Sequence, residues 1–255
     1  MLRKEDKPMN EEWLIGKNPI TEAFRSGRAI NKLFIGDYVK TNTIDEIQTL
    51  AKKQGTLIKR VPKQKLDQLA SGKHQGLVAA VAAYDYASID DLFAKAEEKE
   101  ELPFFILLDG IEDPHNLGSI LRTADAAGVH GVIIPKNRAV GLTSVVAKTS
   151  AGAIEYVPVV RVTNMAQTID ELKARNVWVV GTDMDADKDY RELEGDLALA
   201  LVIGNEGKGI SRLVRDKCDW TVNLTMKGQV SSLNASVACG ILMYEVFRKR
   251  NPLGG

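Results

Sequence analysis

The chain has 255 residues, of which 44% are hydrophobic and 27% are charged. This length holds one large domain or two smaller ones, and the composition excludes a disordered chain, a collagen and a disulfide-stapled miniprotein. No apolar run approaches about 18 residues, which argues against a transmembrane helix, and the charged segment Met1 to Asn10 is not followed by a signal-type apolar stretch. Cys218 and Cys239 form no CxxC pair, so the sequence predicts a cytoplasmic protein without a bound metal.

Charge is divided unequally along a chain that is neutral as a whole. Residues 1–83 contain 15 Lys and Arg against 9 Asp and Glu, net +6, whereas residues 84–255 contain 19 against 25, net −6. A basic segment is typical of a module that contacts nucleic-acid phosphates. A solvated protein surface has the same composition, so charge alone leaves both interpretations open.

The basic segment, residues 12–83, predicts a small α/β domain because short helical and strand patterns alternate. Ile44, Ile47 and Leu50 form the stripe of a helix that ends at Gly55. Residues 84–102, which carry seven carboxylates, predict a surface helix and an acidic linker. The predicted helices of the small domain are 20–26, 44–53 and 65–70, and its strands are 33–35, 57–61 and 77–83.

Residues 103–250 alternate strands and helices more regularly, which predicts an open parallel sheet with helical crossovers. Continuous apolar runs such as 104–108 are typical of buried parallel strands. The predicted strands are 104–108, 132–134, 156–160, 177–180, 197–203 and 220–224, and the helices are 116–127, 143–150, 165–175, 210–216 and 232–248.

The last helix carries an apolar stripe formed by Val237, Ile241, Tyr244 and Phe247. Such a stripe packs either in the core of its own chain or in an interface with another chain. For an average helix the pattern alone favours the core.

Three polar segments follow predicted strands, where open parallel sheets bind ligands. In the first, residues 109–122, Gly118 stands inside a helix and predicts a close backbone approach. In the second, residues 203–211, three glycines predict a loop whose free N–H groups bind a ligand, although an empty turn is as compatible. The third, residues 228–236, clusters two serines and Asn234 where the last helix starts, as an N-cap does.

Taken together, these segments resemble the motifs of the SpoU (TrmH-like) branch of the SPOUT superfamily of RNA methyltransferases. Asn-x-Gly-x-x-x-Arg stands as 116–122, Gly-x-Glu-x-x-Gly as 204–209, and Ser-Leu-Asn followed by Ser as 232–236. The resemblance covers 103–250 and extends to Gly16-Lys17-Asn18-Pro19 and His74-Gln75-Gly76. Those two motifs are similar to the ribosomal-protein-like RNA-binding domain of enzymes of the 23S rRNA guanosine 2′-O-methyltransferase type.

The resemblance implies an α/β fold in which a small RNA-binding domain precedes a parallel-sheet methyltransferase domain with a deep trefoil knot. It implies a homodimer with the C-terminal helix in the interface. It also implies an enzyme that transfers the methyl group of S-adenosylmethionine to a ribose 2′-hydroxyl, with a guanosine of 23S rRNA as substrate.

The resemblance implies two sets of functional positions in this chain, one catalytic and one that binds the cofactor. A third set, chosen from the cations of the basic segment, is expected to bind RNA. The sets are Asn116, Arg122, Glu206, Ser232 and Asn234; Gly181, Thr182, Gly204, Leu224 and Leu233; and Lys17, Arg25, Arg28, Lys59, Arg60, Lys63, Lys65 and Lys73.

Each catalytic position also has a purely structural interpretation. Arg122 acts as a base, as a clamp on a phosphate or developing oxyanion, or only in a surface salt bridge. Asn116 orients Arg122 or the ribose, or caps a helix. Glu206 fixes Asn116 or Arg122, a role favoured over general base. Ser232 and Asn234 contact the ribose, order the loop, or cap the last helix.

Three other functions remain open at this point. The same chemistry on tRNA is the first, although the N-terminal domain favours rRNA. A non-catalytic RNA-binding protein is the second, and the intact motif residues argue against it. An α/β enzyme acting on a small molecule is the third.

Overall fold

The computed structural model describes residues 13–70, 72–229 and 232–253. The charged segment Met1 to Asn10 and Ser231 of the third polar segment lie outside the described residues. The chain divides into two compact units. The first extends to Asp85 and includes Gly141–Ala147, and the second comprises Tyr86–Val140 and Lys148–Gly255.

The first unit is a mixed α/β fold, as the alternating pattern predicts. The elements are β1 (Trp13–Ile15), α1 (Lys17–Arg25), β2 (Ile30–Gly36), α2 (Asp45–Lys53), β3 (Leu57–Val61), α3 (Lys63–Leu69) and β4 (Leu77–Val81). The sheet has the order β1-β4-β2-β3, in which β4 is antiparallel to β1 and β2 while β3 is parallel to β2.

Helices cover both faces of this sheet. On one face, Ile20 and Phe24 of α1 and Ile47 of α2 pack in one apolar cluster. On the other face, Leu66 of α3 packs against Phe34. Side chains on successive strand positions therefore point to different helical layers.

The acidic segment 84–102 contains a helix, α4 (Ile89–Glu98), that belongs to the second unit. Ser88 and Asp91 form a capping box at its start. Leu92 is fully buried in the same core cluster as Phe105. The segment predicted as a linker thus contributes to the core, because Leu92 and Ala96 form an apolar face between the charges.

The second unit is the predicted open parallel sheet with helices. Its elements are β5 (Phe104–Asp109), α5 (Pro114–Ala126), β6 (Gly131–Pro135), α6 (Ser144–Thr149), β7 (Val159–Val162), α7 (Met165–Ala174), β8 (Trp178–Thr182), β9 (Lys188–Asp189), β10 (Leu199–Gly204), α8 (Arg212–Arg215), β11 (Trp220–Asn223) and α9 (Ala235–Arg250). Part of α6 belongs to the first unit.

The strand order β7-β6-β5-β10-β8-β11-β9 places β10 between β5 and β8, and all neighbouring pairs are parallel. Gly204 at the end of β10 lies in register with Asp109 at the end of β5. The chain order reverses at this position in the sheet, and parallel sheets bind ligands at the carboxyl edge of such a point.

Several predicted boundaries are wrong by a few residues. The strand predicted at 156–160 is β7, which starts at Val159 because a 3-10 turn occupies Ala153–Glu155. Helix α5 starts at Pro114 because Asp113 caps it, with the proline at its first position. The two-residue strand β9 has no apolar pattern and was not predicted. The trefoil knot stays a prediction.

The apolar stripe on α9 lies at the surface of the chain, so the core interpretation favoured by the pattern is wrong. Val237, Ile241, Tyr244 and Phe247 are 36–50% exposed. The opposite face of α9, with Cys239, Leu242, Met243 and Val246, is buried instead. Among the described residues, no helix is long and apolar enough to cross a membrane.

Candidate active site

The three motif segments meet at one carboxylate oxygen, Oε1 of Glu206. Asn116 donates to it through Nδ2 at 3.0 Å, and Asn234 donates through Nδ2 at 2.7 Å. The backbone N–H of Ala235 donates a third bond at 3.0 Å. The two asparagines are also joined, since Asn234 Nδ2 lies 2.9 Å from Asn116 Oδ1. Glu206 therefore anchors two helices, as expected for a residue that fixes Asn116.

Asn234 has a second role as the N-cap of α9. Its Oδ1 accepts hydrogen bonds from the backbone N–H groups of Ser236 and Val237, and from Ser236 Oγ at 2.6 Å. The capping interpretation of this residue is therefore confirmed, and the other end of the same amide binds Glu206.

Asn116 does not cap α5, because Asp113 accepts the N–H of His115 and occupies the capping position. Asn116 instead lies within the first turn, where its side chain reaches Glu206. Two residues later, a Cβ built on Gly118 would lie 2.5 Å from Thr149 Cβ. The close approach predicted at this glycine is confirmed, and it brings α5 against the segment around Thr149.

The loop after β10 is a tight turn closed by two backbone hydrogen bonds between Asn205 and Gly209. A Cβ on Gly204 would lie 2.1 Å from the carbonyl carbon of Gly209, so only glycine fits there. Asn205 Oδ1 accepts the N–H of Gly207, and Asn205 Nδ2 donates to the carbonyl of Gly110 at 3.1 Å. The side chain of Asn205 thus fixes the loop that carries Glu206 against the end of β5.

Beside this loop is a cavity of about 650 Å³, within the usual range of small-ligand sites. Its walls come from the carboxyl ends of β8, β10 and β11 and from the start of α9. Apolar side chains and charged groups both contribute. The former are Ile203, Leu224, Met226 and Leu233, and the latter are Asp183, Asp185, Glu206, Lys208, Arg212, Arg215 and Asp216.

Four of the five predicted cofactor positions line this cavity: Thr182, Gly204, Leu224 and Leu233. The fifth, Gly181, lies behind the wall, where a Cβ would meet Ile210 Cδ1 at 2.8 Å. Gly181 therefore allows Ile210 to pack on the strand.

Two of the predicted catalytic positions stand apart from the Glu206 cluster. Ser232 lines the cavity, whereas Arg122 is exposed and does not. Arg122 follows Asn116 by six residues, about 9 Å along the helix and about a third of a turn around it. Within the described residues, no hydrogen bond or ion pair involves Arg122, so the surface salt bridge considered from the sequence does not form there.

Charged groups hold the rim of the cavity in place. Arg215 forms an ion pair with the largely buried Asp183 at 2.7 Å. Hydrogen bonds from Arg191 and Thr225 hold the pKa of Asp189 well below its usual range. Because Thr225 follows Leu224, its bond to Asp189 at 2.8 Å also fixes the wall that Leu224 forms.

The predicted RNA-binding cations do not form a single patch. Arg25 pairs with Glu46, Arg60 donates to Val39 O and Thr41 Oγ1, and Lys17 donates to Thr43 O. These three lie on the α1–α2 side of the sheet. Lys63 and Lys65 lie on α3, across the sheet, and Arg28 and Lys65 have further partners. Lys59 and Lys73 are exposed.

Sequence reasoning missed two residues of the site. Asn205 stood inside the second motif without a role, although an asparagine two positions before a loop glycine is typical of an Asx-turn. Asp183 follows β8 directly, and a carboxylate at a strand end was a usable signal. Within the part of the chain that the structure describes, no cluster of three potential metal ligands is found.

A parallel sheet with a polar cluster and a cavity at its carboxyl edge is typical of an α/β enzyme domain. Residues 103–244 match the model of the SpoU rRNA methylase family, and residues 13–87 match that of the RNA 2′-O ribose methyltransferase substrate-binding domain. The chain belongs to the SpoU family. It is an RNA 2′-O-ribose methyltransferase of this family, which uses S-adenosylmethionine as methyl donor.

Similar proteins agree with this assignment. A Bacillus subtilis protein named for the TrmH family of tRNA/rRNA methyltransferases is 58% identical over 95% of this chain and 98% of its own. A relative of the same name from Staphylococcus aureus is 54% identical over 96% and 99%. The crystal structure of the SpoU methyltransferase AviRb from Streptomyces viridochromogenes with AdoMet matches 98% of this chain and 94% of that one, with 28% identity and a TM-score of 0.60.

Proposed function

We propose that this enzyme methylates the ribose 2′-hydroxyl of a guanosine in 23S rRNA, and that the cavity beside Glu206 is its cofactor site. The observation that carries the proposal is the convergence of Asn116, Glu206 and Asn234 beside that cavity. Asn116 and Asn234 lie 118 positions apart in the chain, and hydrogen bonds join them to each other and to Glu206, so one network connects all three motifs.

The cavity fits S-adenosylmethionine in volume and in the chemistry of its walls. Leu224 and Leu233 supply an apolar surface for an adenine ring, and the backbone after Gly204 supplies hydrogen-bonding groups. The carboxylates of Asp183 and Asp185 can bind the ammonium group of the cofactor's methionine part, and Arg212 can bind its carboxylate. When bound, this cofactor supplies an electrophilic methyl group on a sulfonium centre.

The Glu206 cluster positions groups rather than moving protons. Oε1 of Glu206 already accepts three hydrogen bonds, so the carboxylate holds Asn116 and the start of α9 in place. Ser232, at the wall of the cavity, is within the segment that contacts the ribose in this proposal. Alignment of the attacking oxygen with the methyl group is the main requirement of such a transfer, and orientation contributes on the order of 7–11 kcal/mol.

Arg122 acts on the RNA from outside the cavity. A guanidinium stays protonated, so the proposed role is a two-pronged hydrogen bond to a phosphate next to the target ribose or to the developing oxyanion. Arg122→Lys keeps the charge and loses the fork, and we expect a loss of turnover of about 10-fold or more with unchanged thermal stability. Arg138→Lys, at another exposed arginine, is the matched control. Wild-type turnover of Arg122→Lys would exclude both active roles.

The first unit supports rRNA as the substrate, because the resemblance of its two motifs is to the RNA-binding domain of rRNA enzymes. The relatives' names include tRNA as well, so tRNA is the second candidate. The proposal includes RNA capture by Lys17, Arg25, Arg28, Lys59, Arg60, Lys63, Lys65 and Lys73. It places the enzyme in the cytoplasm, where unmodified RNA is available.

The proposal also includes a homodimer formed through α9. Val237, Ile241, Tyr244 and Phe247 expose a continuous apolar stripe, which supports contact with a second copy. The rings of Tyr244 and Phe247 lie 5.7 Å apart and present one aromatic surface.

Calorimetric titration with S-adenosylmethionine, together with transfer of tritiated methyl groups to unmodified rRNA and tRNA transcripts, tests this function. We expect binding, and incorporation into 23S rRNA at a guanosine 2′-oxygen. Incorporation only into tRNA would support the proposed site but would show that the substrate is tRNA and not 23S rRNA. Absence of both binding and transfer would contradict the assignment of the cavity.

A further inference from the structure

Tyr38 is the one large hydrophobic side chain that the described part of the first unit exposes, with 54% of its surface free. Its ring rests on two glycines. A Cβ on Gly36 would lie 2.6 Å from Tyr38 Cε1, and one on Gly76 would lie 3.5 Å from Cε2. The backbones of the two glycines are joined by a hydrogen bond of 2.8 Å from Gly36 N–H to Gly76 O. One face of the ring is therefore supported, and the ring is held at the surface.

The loop beside this ring, His74-Gln75-Gly76, is rigidly fixed. The N–H of Gly76 donates to His74 Nδ1 at 2.9 Å, so Nε2 carries the proton and donates to Asp67 at 2.9 Å. His74 itself is buried. The histidine is a structural support that presents the next residue, Gln75, to solvent.

Gln75 has a strained backbone and an exposed side chain. Its φ is +50°, a region that non-glycine residues rarely adopt. Strained backbone of this kind is often found at functional sites.

Two exposed lysines flank this surface, alongside the exposed carboxylates of Asp37 and Asp67. Lys40 follows Tyr38 by two positions, and Lys73 precedes Gln75 by two. Both are exposed, and neither forms an ion pair with any residue that the structure describes. The side chain of Gln75 and the carbonyl of Lys73 both lie within 4 Å of the Cβ position of Gly16, so the loop meets the first motif of this unit.

We propose that Tyr38 and Gln75 form a docking site for one unpaired nucleotide of the RNA substrate. The base stacks on the free face of Tyr38, the side-chain amide of Gln75 bonds to its edge, and Lys40 and Lys73 contact the flanking phosphates. Single-stranded RNA is recognised by this combination of an aromatic platform, an amide and cations. The proposal rests on RNA being the substrate and specifies the surface that selects it.

Binding of the full chain to the RNA transcript that the wild-type protein methylates tests the site. We expect Tyr38→Ala to weaken binding on the order of 10-fold, the usual effect of losing one stacked base. KM for the transcript rises accordingly, while kcat and S-adenosylmethionine binding stay unchanged. Tyr38→Phe keeps the ring and retains wild-type binding.

Tyr156→Ala is the matched control, because Tyr156 exposes 69% of its surface in the second unit. Wild-type affinity of Tyr38→Ala, or an equal loss in Tyr156→Ala, would overturn the proposal. Failure of the wild-type protein to methylate any transcript would instead contradict the proposed function, and this outcome is distinct from a failure of the Tyr38 site.

A second variant separates docking from folding. Gln75→Gly relieves the left-handed strain, so we expect an equal or higher melting temperature together with weaker binding of the transcript. A Gln75→Gly protein that binds the transcript as the wild type does would overturn the role of this side chain.

Discussion

Asn234 serves two neighbours at once through the two ends of its side-chain amide. Its oxygen caps α9, and its nitrogen binds Glu206 and Asn116. Replacement by alanine removes both functions, so loss of activity in that variant does not distinguish a folding defect from a site defect. A substitution that keeps the cap and removes the donor is needed.

Asn234→Asp is that substitution. Aspartate caps helices as well as asparagine does, but it places a second carboxylate against Glu206 and has no donor. We expect methyl transfer to fall by about 10-fold or more, since a hydrogen bond to a charged group contributes about 1.5–3 kcal/mol. The circular dichroism spectrum should stay close to wild type, whereas the melting temperature should fall, because the lost hydrogen bond and the added carboxylate also weaken the attachment of α9 to Glu206.

The matched control is Asn164→Asp, the same change at the N-cap of α7, where Asn164 accepts the N–H of Gln167. This variant should keep both fold and activity. If Asn234→Asp transferred methyl groups at the wild-type rate, the Glu206 cluster would be a helix anchor only.

His130 makes stability depend on pH. The side chain is fully buried and accepts the N–H of Phe104 at Nδ1, while Nε2 lies 3.0 Å from Glu101. Burial lowers its pKa from 6.5 to about 4. The unfolded chain therefore takes up a proton at a higher pH than the folded chain does, so this contribution to stability is complete above about pH 6.5 and is lost progressively toward pH 4.

Urea unfolding at several pH values checks this. We expect the free energy of unfolding to fall between pH 6.5 and 4, and His130→Gln to show a shallower fall. His115→Gln, at an exposed histidine, should keep the wild-type profile. Identical pH profiles of wild type and His130→Gln would contradict the assignment.

The turn after β10 depends on one glycine. A side chain at position 204 meets backbone atoms of Gly209 and Ile210, which have no alternative rotamer to adopt. We expect Gly204→Ala to displace the loop, to cost about 1–3 kcal/mol of stability and to weaken S-adenosylmethionine binding in calorimetry. Gly228→Ala, where no atom lies within 4 Å of the added Cβ, is the control. If Gly204→Ala bound S-adenosylmethionine with wild-type affinity, the loop after β10 would not be part of the cofactor site.

Most helices and strands were predictable because their apolar periodicity reflects burial. The apolar run 104–108 predicts a buried strand, and the structure has one there. Lys188 and Asp189 have no apolar pattern and form a strand through their pairing with β11, which the local sequence does not indicate. The exposure of Tyr244 and Phe247 was not predictable either, because an apolar stripe has the same spacing whether it faces the core or another chain.

The candidate site was predictable in part of its residues but not in its geometry. The resemblance named Asn116, Glu206 and Asn234, and the expected bond between Glu206 and Asn116 forms. Sequence spacing did not reveal that all donors share one oxygen. Nor did it separate Arg122 from the cavity, because that depends on how α5 is rotated against the sheet.

At the scale of the whole molecule, the stripe on α9 predicts the oligomeric state. We expect Ile241→Asp to convert a dimer into a monomer in light scattering, because a charge buried in an apolar interface is strongly unfavourable. Leu213→Asp, at a leucine that is 61% exposed on α8, should leave the mass unchanged. A wild-type protein that is monomeric at all concentrations would contradict the proposed dimer.

The hydrogen bond between Asn116 and Asn234 joins residues on either side of nearly half the chain. During synthesis, β5, α5 and the Gly204 loop leave the ribosome well before α9. The Glu206 cluster cannot form before α9 folds, because two of its three donors belong to the start of that helix. The cluster is therefore incomplete in any nascent chain in which the start of α9 has not yet folded.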